Sequence, residues 1–92
     1  MLYILTHIEK LPIVLQFATK EDELLLTQSS VYMANPNHFL HTQLQSLPCP
    51  ISVLNIDLQA RGIDSYVSPK ISVIDMDNFV DLTAKHSKSI SW

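Results

Sequence analysis

Apolar residues in this chain fall into short runs separated by segments of helical spacing. The runs are Leu2-Tyr3-Ile4-Leu5, Leu24-Leu25-Leu26, Ile51-Ser52-Val53-Leu54 and Ile71-Ser72-Val73-Ile74. The first two are unbroken, as strands covered on both faces are, and the last alternates. Leu11, Val14, Leu15 and Ala18 follow the i, i+3, i+4, i+7 rule of an amphipathic helix, with Pro12 tolerated in its first turn. Leu40, Leu44 and Leu47 repeat the pattern after Asn35-Pro36-Asn37, a break that splits this crossover into two helical pieces. In the last segment Met76, Phe79, Val80, Thr83 and Ala84 line one face of a helix. Asp75 or Asp77 suits its start, and Lys85 and His86 suit its negative end.

Strands alternating with helices predict a parallel sheet joined by right-handed crossovers. The expected fold is a small flavodoxin-like, three-layer α/β domain with a mostly parallel four-stranded sheet, residues 1–92 forming a single domain. Sites in such sheets form at the carboxyl ends of the strands. Here those ends are Thr6-His7, Thr27-Gln28-Ser29, Asn55-Ile56-Asp57 and Asp75-Met76-Asp77.

Composition narrows the functional classes. A chain of 92 residues supports one modest core. Charged residues are only 16% of it, against about 25% in an ordinary soluble domain. This deficit implies that a partner chain covers part of the surface. The formal net charge is −3 and no basic cluster occurs, which argues against direct contact with nucleic acid. One cysteine cannot form an internal disulfide, so a cytoplasmic location is expected. The opening M-L-Y-I-L-T-H lacks the features of a signal peptide, and no apolar run approaches a membrane span.

Candidate chemistry is sparse. Asp57 and Arg61 lie four apart ahead of Gly62, the single glycine, and read as the start, brace and stop of a short helix. Cys49, in L-P-C-P, is the one available thiol. Two prolines hold it in an extended link with no cation nearby in sequence, which favours an inert residue over a relay cysteine. His38 and His41 share a spacing of three, yet no carboxylate cluster or further cysteine completes a metal site. His7 and His86 are isolated. Asp75 and Asp77 flank a helix start, where capping outweighs a carboxylate pair as the explanation. A single glycine excludes the glycine-rich loops that cradle phosphates and dinucleotides, and no cofactor is expected. The closing S-K-S-I-S-W ends in apolar residues, and Trp92 is expected to dock on a partner or on the chain itself.

Four blocks in order, L-L-L-T-Q-S-S-V-Y-M-A, V-L-N-I-D-L-Q-A-R-G-I, I-S-V-I-D-M-D-N-F-V-D-L-T and the closing S-W, resemble the TusB/DsrH family of sulfur-relay proteins. The resemblance runs essentially end to end. It implies a flavodoxin-like subunit of a heterohexamer with TusC-like and TusD-like chains, with the working cysteine on the TusD-like subunit. Such a complex takes persulfide sulfur from a TusA-like donor to a TusE-like acceptor, for 2-thiouridine at the tRNA wobble position. A related complex serves dissimilatory sulfur oxidation, and some of its DsrH-type members carry a cysteine in the first helix. Val14 stands near that place here, which favours the tRNA branch. The expected role is thus a non-catalytic subunit. The alternatives are a sulfur-oxidation subunit and a carrier using Cys49. Tyr32, Met33, Phe39 and Trp92 are the residues expected at partner interfaces.

Overall fold

The computed structural model describes residues 1–92 and contains five strands. They are β1 (Leu2–Leu5), β2 (Glu23–Leu26), β3 (Ile51–Leu54), β4 (Ser72–Ile74) and β5 (Ser89–Ser91). All four pairings are parallel, and the spatial order is β4-β3-β2-β1-β5. Four α-helices occur: α1 (Leu11–Phe17), α2 (His41–Gln45), α3 (Asn55–Ala60) and α4 (Met76–Lys85). Short 3-10 segments at Ile8–Lys10 and Gln28–Ala34 complete the connections. The flavodoxin-like α/β layering expected from the sequence is therefore present, with five strands in place of the expected four.

The fifth strand comes from the tail. Ser-Ile-Ser carries almost no apolar signal, and β5 is held through its backbone. Leu2 N–H donates to Lys88 O at 3.0 Å, and Trp92 N–H to Ile4 O at 2.9 Å. Thr6 closes the end, its N–H and hydroxyl both donating to the Trp92 backbone oxygen at 2.8 and 2.6 Å. The indole of Trp92 then packs against the core, so the tail docks on its own chain.

Side chains alternate across a strand, so each strand divides its residues between two faces. Tyr3 and Leu5, Leu24 and Leu26, and Ile51 and Val53 turn to one face. They meet Leu11 and Val14 of α1, Val31 and Met33 of the second crossover, Leu44 of α2 and Leu58 of α3 in a single cluster. Leu2, Leu25 and Leu54 turn to the opposite face, where α4 crosses. Pro12 lies in the first turn of α1, and the Asn35-Pro36-Asn37 break separates the 3-10 segment from α2.

Helix α4 begins where the sequence indicates. Asp75 caps it by accepting from Asn78 N–H at 2.9 Å. Its orientation departs from what an amphipathic pattern ordinarily brings. Met76, Val80, Thr83 and Ala84 are exposed, and only Phe79 of the apolar stripe is partly covered. Asn78, Asp81, Leu82 and Lys85 border an open space between the helix and the sheet, and of these only Leu82 is partly covered.

Trp92→Ala removes a half-buried ring from the core and loosens β5. A loss of about 2 kcal/mol in unfolding free energy is expected by chemical denaturation, and a change below about 0.5 kcal/mol, the scale of an ordinary surface substitution, would show that the ring contributes nothing to the fold.

Candidate functional site

The carboxyl edge of the sheet, where ligands of such folds sit, is bonded to itself. Ser30 is fully buried, accepts from Thr27 N–H at 2.9 Å and reaches Leu5 O at 2.6 Å. Ser29 Oγ donates to Thr6 O at 3.0 Å. Gln28 stands at φ 51°, in the left-handed region that a glutamine rarely adopts. Its N–H donates to Asp57 Oδ2 at 2.8 Å.

That bond changes the role expected of Asp57. The carboxylate caps no residue of its own helix: α3 starts at Asn55, and the capping position, Leu54, has no side-chain bond. Asp57 lies in the first turn and crosses to the strained turn at the start of the neighbouring crossover. The bracing and stop behave as the sequence implies. Arg61 lies 3.8 Å from Asp57 Oδ1, and Gly62 ends the helix at φ 66°.

Cys49 is 6% exposed and belongs to the core cluster at the foot of β3. Burial pushes its thiol up from the ordinary value, a backbone hydrogen bond only partly opposes this, and Asp22 and Glu23 add smaller upward pushes. A thiolate, the reactive form, is thereby disfavoured. The two histidines of H-F-L-H are occupied separately. His41 is buried with Nδ1 2.7 Å from Met33 O and Nε2 3.2 Å from the Gln45 amide. His38 accepts from Leu40 N–H at 3.1 Å and stacks on Phe39.

The expected interface residues divide. Phe39, 79% exposed, and Tyr32 present surface. Met33 is fully buried inside the subunit, so its side chain offers another chain nothing to cover. Trp92 is half-buried against the core, and its Nε1 is enclosed without a hydrogen-bond partner.

Sequence reasoning missed the one groove of the molecule, a space of about 370 Å³ between the sheet and α4. Ser52 of β3, Ser72 and Ile74 of β4, and Asn78, Asp81, Leu82 and Lys85 of α4 line it. The available signal was the repeated I-S-V, which places Ser52 opposite Ser72 on the same face. The far end of α4 is tied down beyond the groove. Lys85 Nζ and His86 Nε2 both meet Glu23 Oε1, the latter at 3.1 Å. Burial alone would raise the Glu23 carboxyl, but the hydrogen bonds from Lys85 and His86 outweigh it and hold the group below its ordinary value.

These elements define a flavodoxin-like α/β domain whose usual ligand edge is closed by its own polar groups. The profile of the family described as "DsrH like protein" matches residues 6–89. The chain is 39% identical over 71 residues to Protein TusB of Buchnera aphidicola subsp. Baizongia pistaciae, covering 77% of this chain and 75% of that one. It is 40% identical over 79 residues to Protein TusB of Escherichia coli O139:H28, covering 85% and 82% of the two chains. With Protein TusB of Serratia proteamaculans the identity is 37% over 82 residues, covering 89% and 86%. The chain belongs to the DsrH family.

Two outcomes test this geometry. Gln28→Gly relieves the positive φ and is expected to raise stability by about 0.5–1 kcal/mol, whereas Asp57→Ala leaves the turn unheld and costs about 1–2 kcal/mol in the same denaturation assay. A destabilising Gln28→Gly would show that the glutamine side chain, rather than the bond to Asp57, holds the turn. The second concerns pH. Because the folded carboxyl of Glu23 titrates below its ordinary value of 4.5, its contribution is present above that value. It is lost as pH falls through the lower folded value. Glu23→Gln is expected to flatten the loss of stability between about pH 5 and 3, read from thermal midpoints across that range; an unchanged slope would refute the assignment.

Proposed function

We propose that the chain is a non-catalytic subunit of a TusBCD-like sulfur-relay complex, acting with TusC-like and TusD-like chains in a heterohexamer. In this reading the complex receives persulfide sulfur from a TusA-like donor and passes it to a TusE-like acceptor, toward 2-thiouridine at the tRNA wobble position. Membership of the DsrH family and identities near 40% to several TusB proteins support the relay assignment. The observation that carries the non-catalytic role is Cys49. It is the single thiol of the chain, and it is buried in the core with its pKa raised. A persulfide carrier needs the opposite, an accessible sulfur with stabilised thiolate. The working cysteine accordingly belongs to another subunit.

The remaining features fit this reading. A net charge of −3 without a basic cluster suits a protein that does not touch tRNA itself. No helix is long and apolar enough to cross a membrane. The single cysteine suits the reducing cytoplasm. Tyr32, Phe39 and Trp92 remain the candidate contacts from the second crossover and the tail. Met33 contributes from within, by shaping the backbone that presents Tyr32.

Coexpression with TusC-like and TusD-like chains tests the assignment, and a stable complex recovered by size exclusion is expected. A chain that stays monomeric beside both would overturn it. Within the complex, Cys49→Ser is expected to leave sulfur transfer to a TusE-like acceptor unchanged within about twofold, since a buried inert cysteine contributes packing alone. Loss of transfer in a folded Cys49→Ser complex would instead make Cys49 a carrier.

A further inference from the structure

Helix α4 is the element that the subunit leaves half-used. Most of its apolar stripe is left uncovered, with Met76 50% and Val80 61% exposed and only Phe79 partly covered. Thr83 and Ala84, on the same stripe, are exposed as well. An amphipathic helix is ordinarily stabilised by burying its stripe, yet here only Phe79 and, beside the stripe, Leu82 are partly covered, and the polar flank over the groove, Asn78, Asp81 and Lys85, is itself exposed. The Asp75 cap closes its first turn, and the ties of Lys85 and His86 to Glu23 hold its far end to the sheet.

Charge gives the character of what would cover it. Asp77 and Asp81 lie beside the stripe, one turn apart, and neither has a basic partner within the chain. Lys85, one turn beyond Asp81, is engaged by Glu23. Asp81 borders the groove together with the hydroxyls of Ser52 and Ser72 and the amide of Asn78. Resting on the subunit reading above, we propose that the exposed stripe of α4 and the groove beneath it form a docking surface for a protein partner. That partner presents an apolar patch seated on Met76 and Val80, with a lysine or arginine that enters the groove to meet Asp81.

Other occupants fit less well. A second copy paired antiparallel about the middle of α4 would set Asp81 against its own counterpart, a like-charge contact that opposes association. An anionic lipid surface or a nucleic acid would meet the same carboxylates.

The test uses the full chain coexpressed with its relay partners. Val80→Asp and Asp81→Lys change exposed side chains, so their circular dichroism and thermal midpoints should match the wild type. Each is expected to weaken partner binding by about tenfold or more, while Phe17→Asp, an equal change on the α1 side, is expected to leave it intact. Binding restored to Asp81→Lys by an acidic substitution at a basic partner residue would support the charge match directly. Folded Val80→Asp that binds as the wild type does overturns the proposal. So does a wild-type homodimer that Val80→Asp dissolves, because the occupant would then be a second copy. If the wild type binds none of its relay partners, the subunit reading fails, and this proposal fails with it.

Discussion

The handedness of the crossovers sets the rest of this structure. Strands β1 to β4 are laid down in one direction across the sheet, so right-handed connections place every intervening helix on a single face. The chain then returns to the free edge of β1 to add β5, and the same rule sends α4 over the other face. One face therefore receives three helices and two 3-10 segments, and the other receives one helix. Five strands about 4.8 Å apart span about 19 Å, while a helix with side chains covers about 10 Å. A single helix cannot close that face.

The sheet is composed to suit this asymmetry. Leu25 and Leu2, on the central strands, stay fully buried on the single-helix face. Toward the β4 edge the same face carries Ser52 and Ser72, whose hydroxyls tolerate the groove. Hydrophobic residues there would have to be covered by a second helix that the topology does not provide. The tie from Glu23 to Lys85 and His86 anchors the carboxyl end of α4 above β2, which leaves the groove open under its middle over β3 and β4. Exposure of the α4 stripe follows from the same geometry, since the residues facing the groove must be compatible with water.

The sequence made the regular elements readable because each is written in local terms. The strand runs, the helix beginning at Leu11 and the Asp75 cap all depend on residues within a few positions of one another. What it did not reveal depends on distant partners. Ser89–Ser91 offers a single apolar residue, Ile90, and becomes a strand through backbone bonds to β1, 87 positions earlier at Ser89 and Leu2. Asp57 reads as a cap for its own helix because that helix is adjacent, yet its oxygen finds Gln28, 29 residues away. The stripe on α4 was visible, but a stripe gives a direction on the helix and not a direction in the fold. Met33 and Tyr32 are neighbours in an apolar stretch, and only the 3-10 geometry decides that the first points into the core and the second outward.

The closed carboxyl edge sets this domain apart from the usual arrangement of its fold. In an open α/β sheet that edge ordinarily offers unpaired backbone groups and helix N-termini to a ligand. Here Ser29, Ser30 and Asp57 occupy those groups, and Thr6 binds the tail across the end of β1. Each of these bonds ties a loop to a neighbouring strand or helix, so the polar residues that close the edge fix that end of the domain. The open groove lies instead between the sheet and α4, lined by Ser52, Ser72, Asn78 and Asp81 among others. A self-bonded edge and an exposed helix stripe thus belong to one arrangement: the polar groups of the usual ligand edge are satisfied within the chain, and uncovered apolar surface lies on α4.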